Sequence, residues 1–509
     1  MAAVLAANMH VAAFFVAVAA ATVLVARSPV ACRILDAMLN AIVSRIHFFP
    51  SIVDGQNLKG PAFKFPNGQT KDKFLHGREM SYMWNEKYGS IYRIWSGLTP
   101  EVVLTDAKDV QALYSHASGH TKDSTANVGW LFGQLLGQCV GVVNGNRWTT
   151  LRRILDPLFS HKQSMQYLDD FNSAAEAYAT GVDQYALEKI GDRFVVNAAH
   201  SLMRFPYYEV AKLFYGHLNQ HEIDRLWDLG QLFTETLSHG IDGGINRSPL
   251  TKWLNMPSWQ RAKSYIQQWE AFTIEAVQRR VDAGIDCPLV QLWQSAEAGE
   301  IAKQEVLHTL AESLFANLDV TTHVISSCVI LLADNAKVQA DLRAEFAEHA
   351  YDINGYLGKR DTLLHYCLLE SLRLQPVPAF TLPDKPPQER IVGGYRIPKK
   401  TTILIDSYAI NIRNPFWGPD SRQYRPSRFA SIPPQQLRYN LTTFGYGTRK
   451  CLGYKVGDKL VHALVYQLFS QYDVSVRPTM KQENDEQFKR DRGNWMALYD
   501  VELELQRRA

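Results

Sequence analysis

One decapeptide carries most of the chemistry legible in this chain: Phe444-Gly445-Tyr446-Gly447-Thr448-Arg449-Lys450-Cys451-Leu452-Gly453. It sets a lone cysteine where a loop is expected to enter a helix, so that free amides and the positive end of the helix dipole stabilise a thiolate. Gly447 permits a tight turn just before it, and Gly453 lets the backbone approach a flat ligand closely. Arg449 offers a fixed guanidinium suited to a carboxylate. Taken alone, the same residues fit a buried structural cysteine beside an ordinary turn.

The decapeptide resembles the signature Phe-x-x-Gly-x-Arg-x-Cys-x-Gly of the cytochrome P-450 haem-thiolate monooxygenases. All five fixed residues are present, at Phe444, Gly447, Arg449, Cys451 and Gly453. With average residue usage a chance match in a chain of this length is on the order of one in ten thousand. The resemblance implies haem b, with Cys451 as the axial ligand to its iron. It extends upstream. Glu370-Ser371-Leu372-Arg373 matches the family's Glu-x-x-Arg helix, and Tyr424-Arg425-Pro426-Ser427-Arg428-Phe429 resembles its aromatic-x-Pro-x-Arg-Phe segment. In the family these form a buried ion network beneath the haem, which here implies Glu370, Arg373 and Arg428. Trp148-Thr149-Thr150-Leu151-Arg152 resembles the Trp-x-x-x-Arg helix that reaches a haem propionate, and the i, i+4 spacing puts Trp148 and Arg152 on one face.

Two departures stand out. Where the family has Ala/Gly-Gly-x-Asp/Glu-Thr-Thr/Ser over the haem, this chain has Ala316-Asn317-Leu318-Asp319-Val320-Thr321-Thr322. Asp319 aligns with the acid, and Val320 stands where the oxygen-activating Thr should be. Thr321 follows about 100° further round an ideal helix. The expectation is that Asp319 and Thr321 relay protons to the reacting dioxygen; the alternative is that water alone carries them. The hydroxyls of Thr321 and Thr322 are expected to bond the carbonyls four residues back, on Asn317 and Leu318. The second departure is that Pro378-Ala379-Phe380-Thr381-Leu382 lacks the Arg that many relatives aim at a propionate.

These residues must be positioned by a large globular body. The chain has 509 residues, 46% hydrophobic and 21% charged, which excludes disordered, collagenous and multi-span membrane classes. A net charge of +3 is too balanced to suggest a nucleic-acid binder, and six scattered Cys make no disulfide scaffold and include no Cys-x-x-Cys pair to hold zinc. Residues 145 to about 350 read mostly as helix, including Tyr265–Val281 and Glu305–Ala333. Strands are expected at Ile91–Ile94, Val102–Leu104 and Thr401–Ile405, a hairpin at Ile391–Ile397, and a last helix from about Leu452 to Ser470. The expected class is mainly α with small β-sheets, which the resemblance makes a cytochrome P-450-type haem fold. One catalytic domain is expected over 60–509, behind a transmembrane anchor at 1–27 and a membrane-proximal amphipathic segment at 28–59.

The anchor expectation rests on an uncharged run from Ala2 to Ala26, followed but not preceded by Arg, which places the body in the cytosol on a single-pass endoplasmic reticulum anchor. A cleavable signal peptide is the alternative. No dinucleotide-binding Gly-x-Gly-x-x-Gly follows a strand, so electrons are expected from a separate NADPH-dependent flavoprotein reductase. Arg147, Arg152, Arg153, Arg438, Lys450, Lys455 and Lys459 are candidates for the basic face it would dock on. The implied activity is insertion of one oxygen atom into an apolar small molecule. The pattern Asn317 to Thr322 resembles filamentous-fungal members that tailor secondary metabolites. A haem-thiolate isomerase, dehydratase or radical-coupling enzyme, or a non-catalytic haem protein, remain alternatives at this point.

Overall fold

Apolar side chains recurring every three to four residues build most of the chain into helices, and the computed structural model describes residues 29–115, 119–481, 488–491 and 499–508. The helices that matter for the site are α1 (Pro29–Ile46), α2 (Gly77–Tyr88), α3 (Gly145–Leu155), α4 (Leu168–Thr180), α5 (Arg204–Tyr215), α6 (Gln220–Asp242) and α7 (Pro257–Asp282). They continue with α8 (Lys303–Ala333), α9 (Leu363–Leu374) and α10 (Tyr454–Gln471). The ends are specified locally. α6 opens with a capping box, in which Asn219 and Glu222 exchange side-chain to backbone bonds of 2.9 and 3.1 Å. α7 opens with Pro257, whose missing N–H would have no helical partner there. Glu222 then pairs with the buried Arg280 at 2.6 Å and ties α6 to α7.

α8 is the axis of the body. It is long and apolar enough to cross a bilayer by composition, yet it is mostly buried in protein, so it is a core helix. Phe315 on it stacks on Phe233 of α6 at 4.6 Å and meets the Trp269 ring of α7 edge-on at 5.2 Å. Interlocked aromatic contacts of this kind fix the rotation of α8 about its own axis.

Three small sheets lie outside the bundle. β1 (Ile91–Ser96) and β2 (Thr99–Leu104) form an antiparallel hairpin, and β7 (Thr402–Ile405) pairs parallel to β2 in the register Glu101 to Thr402. β5 (Arg390–Val392) and β6 (Tyr395–Ile397) form the second hairpin, turned by Gly393 and Gly394 at positive φ. The third sheet has the order β3-β4-β9-β8, from Glu188–Ile190, Arg193–Asn197, Glu502–Arg507 and Tyr472–Val476. β3 and β4 interrupt a stretch expected to be mostly helix: Gly191 supplies a turn at φ +61°, and Phe194, Val195 and Val196 are buried against the late strands. That pairing spans some 300 residues of chain, which local periodicity does not encode.

α1 packs Val43 and Leu39 on Phe63 and Trp95. Its other side exposes Val30, Ile34, Met38, Ile42 and Ile46 at a spacing of four residues. The expected anchor at 1–27 lies outside the described residues.

Candidate functional site

The loop that carries Cys451 is pinned from below. On α9, Glu370 accepts from Arg373 at 2.7 and 2.9 Å, and its Oε1 also accepts from Arg428 Nε at 3.0 Å and the Arg425 amide at 2.9 Å. Glu370 and Arg373 are fully buried, and Arg428 nearly so. Two guanidiniums against one carboxylate would leave a buried charge in excess. Asp420, which the sequence reading missed, supplies the fourth member by accepting from Arg428 at 3.3 Å. Arg373 also donates to the Asn411 carbonyl at 2.9 Å, and the Asn411 amide exchanges bonds of 2.8 and 2.7 Å with the backbone of Thr442. The network thus reaches to within two residues of Phe444. From there the Cys451 amide donates back to the Phe444 carbonyl at 2.8 Å and closes the loop, with Gly445 and Gly447 at φ +79° and +63°. Only glycine adopts those angles without strain, which accounts for Gly447 in the motif.

Four of the free thiols in the described body, Cys139, Cys287, Cys328 and Cys367, are buried, whereas Cys451 is accessible. Helix α10 begins at Tyr454, three residues after the cysteine and not directly at it, because Gly453 takes the cap. The protein packed around Cys451 pushes its thiol up although the residue is accessible; the Gly453 amide bonded to it, and the charges of Lys450 and Arg152, pull the other way. The Glu312 carboxylate is close enough to add to the rise. A Cβ on Gly453 would meet only Phe159 within 4 Å, so that side of the loop is left open to a flat ligand. Phe444 sits half-buried 6.0 Å from the Tyr454 ring.

Between Glu305 and Ala333 every residue of α8 is buried except Glu312, Ser313, Ala316, Asn317, Val320, Thr321 and Val324. They recur every four residues, as three adjacent pairs and then Val324, and form one stripe. A step of four residues overshoots an α-turn of 3.6, and it undershoots the wider π-turn that α8 adopts at Asn317–Thr321, so the two drifts offset. π-turns interrupt helices most often where function needs a side chain re-aimed. The Thr hydroxyls depart from expectation for the same reason. Thr321 donates to the Asn317 side-chain oxygen at 2.6 Å and not to its carbonyl, while Thr322 takes that carbonyl, five residues back, at 3.1 Å. Asn317 donates its amide to the Ser313 carbonyl at 2.6 Å, which leaves its oxygen for Thr321. Thr321 and Val320 lie on the stripe; Asp319 is buried behind it.

At the edge of the site cations gather. Arg449 lies over the Trp148 ring at 4.8 Å and donates to the carbonyls of Gly141 and Val143 at 3.0 Å and to Asn144 at 3.2 Å. Arg152 stands over the other part of the same α3 face, 5.7 Å from the Trp148 centroid, and pairs with Asp156 at 2.7 Å. Asn144 also accepts from the Lys122 amide at 2.8 Å, and Lys122 Nζ reaches Asp384 at 2.9 Å and the Leu382 carbonyl at 3.4 Å. Lys122 therefore comes to the segment that lacks the family's Arg. No sequence signal marked it, since its loop has no periodicity. An accessible thiol, an open glycine face and the cations Arg449, Arg152 and Lys122 at one edge fit a flat iron macrocycle bearing two carboxylates.

The basic residues proposed for docking divide. Arg147 and Arg153 extend to the surface, in pairs with Glu305 at 2.6 Å and Glu300 at 3.4 Å, and Arg438 is exposed. Lys459 does not belong with them. It is buried in α10 with Nζ 2.6 Å from the Gly358 carbonyl, and burial lowers its pKa to about 8. A sequence-near Lys on the inward face of a helix cannot join a docking surface.

A family model described as Cytochrome P450 matches residues 69–494. The chain is 50% identical to the cytochrome P450 monooxygenase hasH of Aspergillus fumigatus, over 93% of this chain and 89% of that protein. It is 37% identical to the cytochrome P450 monooxygenase sirC of Leptosphaeria maculans, over 89% and 88% of the two chains. It is 35% identical to gliC of Aspergillus fumigatus, over 93% and 94%. A solved structure of a zebra fish cytochrome P450 with progesterone superposes with a TM-score of 0.65 at 16% identity, covering 85% of this chain and 99% of that one.

Proposed function

The chain belongs to the cytochrome P450 family and is a haem-thiolate monooxygenase, and on that premise we propose that it oxygenates an apolar secondary metabolite beside the α8 stripe. The single observation that carries the reading is the accessible Cys451 on a loop pinned by Glu370, Arg373 and Arg428, within electrostatic reach of the partly accessible stripe of α8. Haem held by the Cys451 thiolate supplies the dioxygen chemistry, in which two electrons and two protons place one oxygen atom in substrate and the other in water.

The chain's own residues then have distinct tasks. Arg449, Arg152, Trp148 and Lys122 would hold the haem carboxylates, and Phe444, Gly447 and Gly453 shape the loop that carries Cys451. Ala316 and Val320 offer apolar contact to substrate. Asp319, buried behind the stripe, passes protons forward, and the Thr321 hydroxyl delivers them from the stripe itself. Its bond to Asn317 holds the Thr321 rotamer at rest.

Electrons come from an NADPH-dependent flavoprotein reductase docking over Arg147, Arg153, Arg438, Lys450 and Lys455. The body, 60–509, is held on the cytosolic face of the endoplasmic reticulum by an anchor at 1–27 and the segment 28–59. This last reading is supported by the exposed apolar stripe of α1, Val30 to Ile46, which suits the headgroup boundary of a bilayer.

The test compares fungal strains with and without the gene, grown under ¹⁸O₂, by untargeted mass spectrometry. The expected result is a metabolite carrying one ¹⁸O that requires the gene and disappears with Cys451→Ala. A gene-dependent product without label overturns oxygen insertion and selects an isomerase, dehydratase or coupling enzyme.

A further inference from the structure

Helix α8 carries a polar row that the family pattern does not use. Glu305, His308, Thr309 and Glu312 recur at i, i+3, i+4 and i+7, on one face of the first half of the helix. All four engage the chain between Gln138 and Arg147. The Gln138 amide meets His308 at 3.1 Å, the Val140 amide donates to Thr309 at 3.2 Å, the Gly141 amide to Glu312 at 3.1 Å, and Arg147 to Glu305 at 2.6 Å. Three of the row are buried; Glu312 alone is also on the accessible stripe.

Glu312 differs from its neighbours in another way. Its known partners are neutral, the Gly141 amide and the Cys139 thiol, and no Lys, Arg or His among the described residues pairs with it within 4 Å. The Arg449 charge is felt at Glu312, but its guanidinium donates to Gly141, Val143 and Asn144 and not to the carboxylate. Burial raises the Glu312 pKa accordingly. If anchoring the Gly141 amide were its whole task, a glutamine would accept the same bond without the cost of burying a carboxyl group. The next residues along the stripe are Ser313 and the exposed Ala316, whose small side chains leave room between Glu312 and Val320. Glu312 is also felt electrostatically at Cys451.

We propose that Glu312 orients the substrate, accepting a hydrogen bond from an N–H of a nitrogen-bearing molecule that lies along Ala316 toward Val320. The inference rests on the oxygenation reading only for which molecule is turned over. The substrate class it implies is one with amide or ammonium N–H donors, beyond apolar contact alone. A carboxylate already solvated by neutral N–H and S–H donors accepts a third such donor readily, because an acidic group has about four lone-pair sites.

The experiment uses the haem-loaded full chain and two probes, 3-phenylpropanamide and its N,N-dimethyl derivative, measured by equilibrium dialysis and by the spin-state shift of the haem absorption. An apolar chamber without an acceptor favours the dimethyl compound, which is larger and greasier. The proposal expects wild type to bind the primary amide at least about tenfold more tightly, the range of a hydrogen bond to a charged group. Glu312→Gln, which keeps the Gly141 bond and a neutral acceptor, should reduce the preference to a few-fold, and Glu312→Leu should reverse it. Equal affinities in wild type, or a preference for the dimethyl probe, overturn the proposal, as does a preference that survives Glu312→Leu. Failure of the isotope experiment with this preference intact removes the oxygenation and keeps the binding assignment; the opposite pattern does the reverse.

Discussion

Replacing Arg373 with Ala is the sharpest structural perturbation this account supports. Arg373 makes five donor bonds, two to Glu370 and three to the carbonyls of Asn411, Ser421 and Gln423. Its loss leaves Glu370, fully buried, with only Arg428 and the Arg425 amide, and it takes a donor from three carbonyls, of which that of Gln423 keeps Arg428 at 3.2 Å. Removing one partner of a buried pair costs about 3–5 kcal/mol. Because Arg373 reaches Thr442 through Asn411, that cost falls on the Cys451 loop. At about 1.4 kcal/mol per tenfold, the ordered loop is disfavoured roughly 10²–10⁴-fold. Arg373→Ala should therefore be made as protein but hold little haem, with fast transfer of what remains to an apo-globin acceptor. Arg373→Lys keeps the charge without the planar fork and should fall between. Haem content and transfer rate equal to wild type in Arg373→Ala, with only turnover lost, would refute the reasoning.

The remaining predictions concern pH, protons and membrane. His365 Nδ1 and His462 Nε2 lie 3.2 Å apart, and His462 Nδ1 lies 3.0 Å from the Leu357 carbonyl. Burial first, and then neighbouring positive groups, hold the pKa values of these rings at about 2 and about 3. Since both are depressed below the unfolded value near 6.5, the unfolded chain binds more protons, so stability is full above that value and falls as pH drops. Unfolding free energies from urea titrations should decline from pH 7 to 5 by up to about 1.4 kcal/mol per pH unit for each ring, and less in His365→Gln; a flat profile would contradict this. Thr321→Ala should still bind haem and oxidise NADPH but release more hydrogen peroxide per product, and Asp319→Asn should slow turnover by about 10²–10⁴-fold. Unchanged coupling in Thr321→Ala and Thr322→Ala would assign proton delivery to water. Ile34→Glu with Met38→Glu should weaken vesicle binding of a chain lacking residues 1–27, and undiminished flotation would exclude the α1 stripe as a membrane contact.

How much of this was legible in the sequence depended on where the information sits. The Cys451 loop and the Glu370–Arg373–Arg428 network repeat spaced motifs, so their residues could be named before their distances. Asp420 could not, because its role is to balance a charge that only the folded network counts. The hairpin at Ile391–Ile397 announces itself through Gly393-Gly394, whereas β4 and β9 meet only through distant pairing. The π-turn at Asn317–Thr321 was half visible, as a departure at Val320, but its hydrogen bonds follow a five-residue register that helical spacing does not suggest. Lys122 and Glu312 were silent: one stands in an aperiodic loop, the other among ordinary helix formers. Lys459 misled because nearness in sequence says nothing about which side of α10 a residue faces.

The most direct test of the central claim is the absorption spectrum of the reduced protein with carbon monoxide, taken for wild type and for Cys451→Ala. The account predicts the strongly red-shifted Soret band of thiolate ligation in wild type and its loss in the variant. A red-shifted band that persists without Cys451 would contradict it.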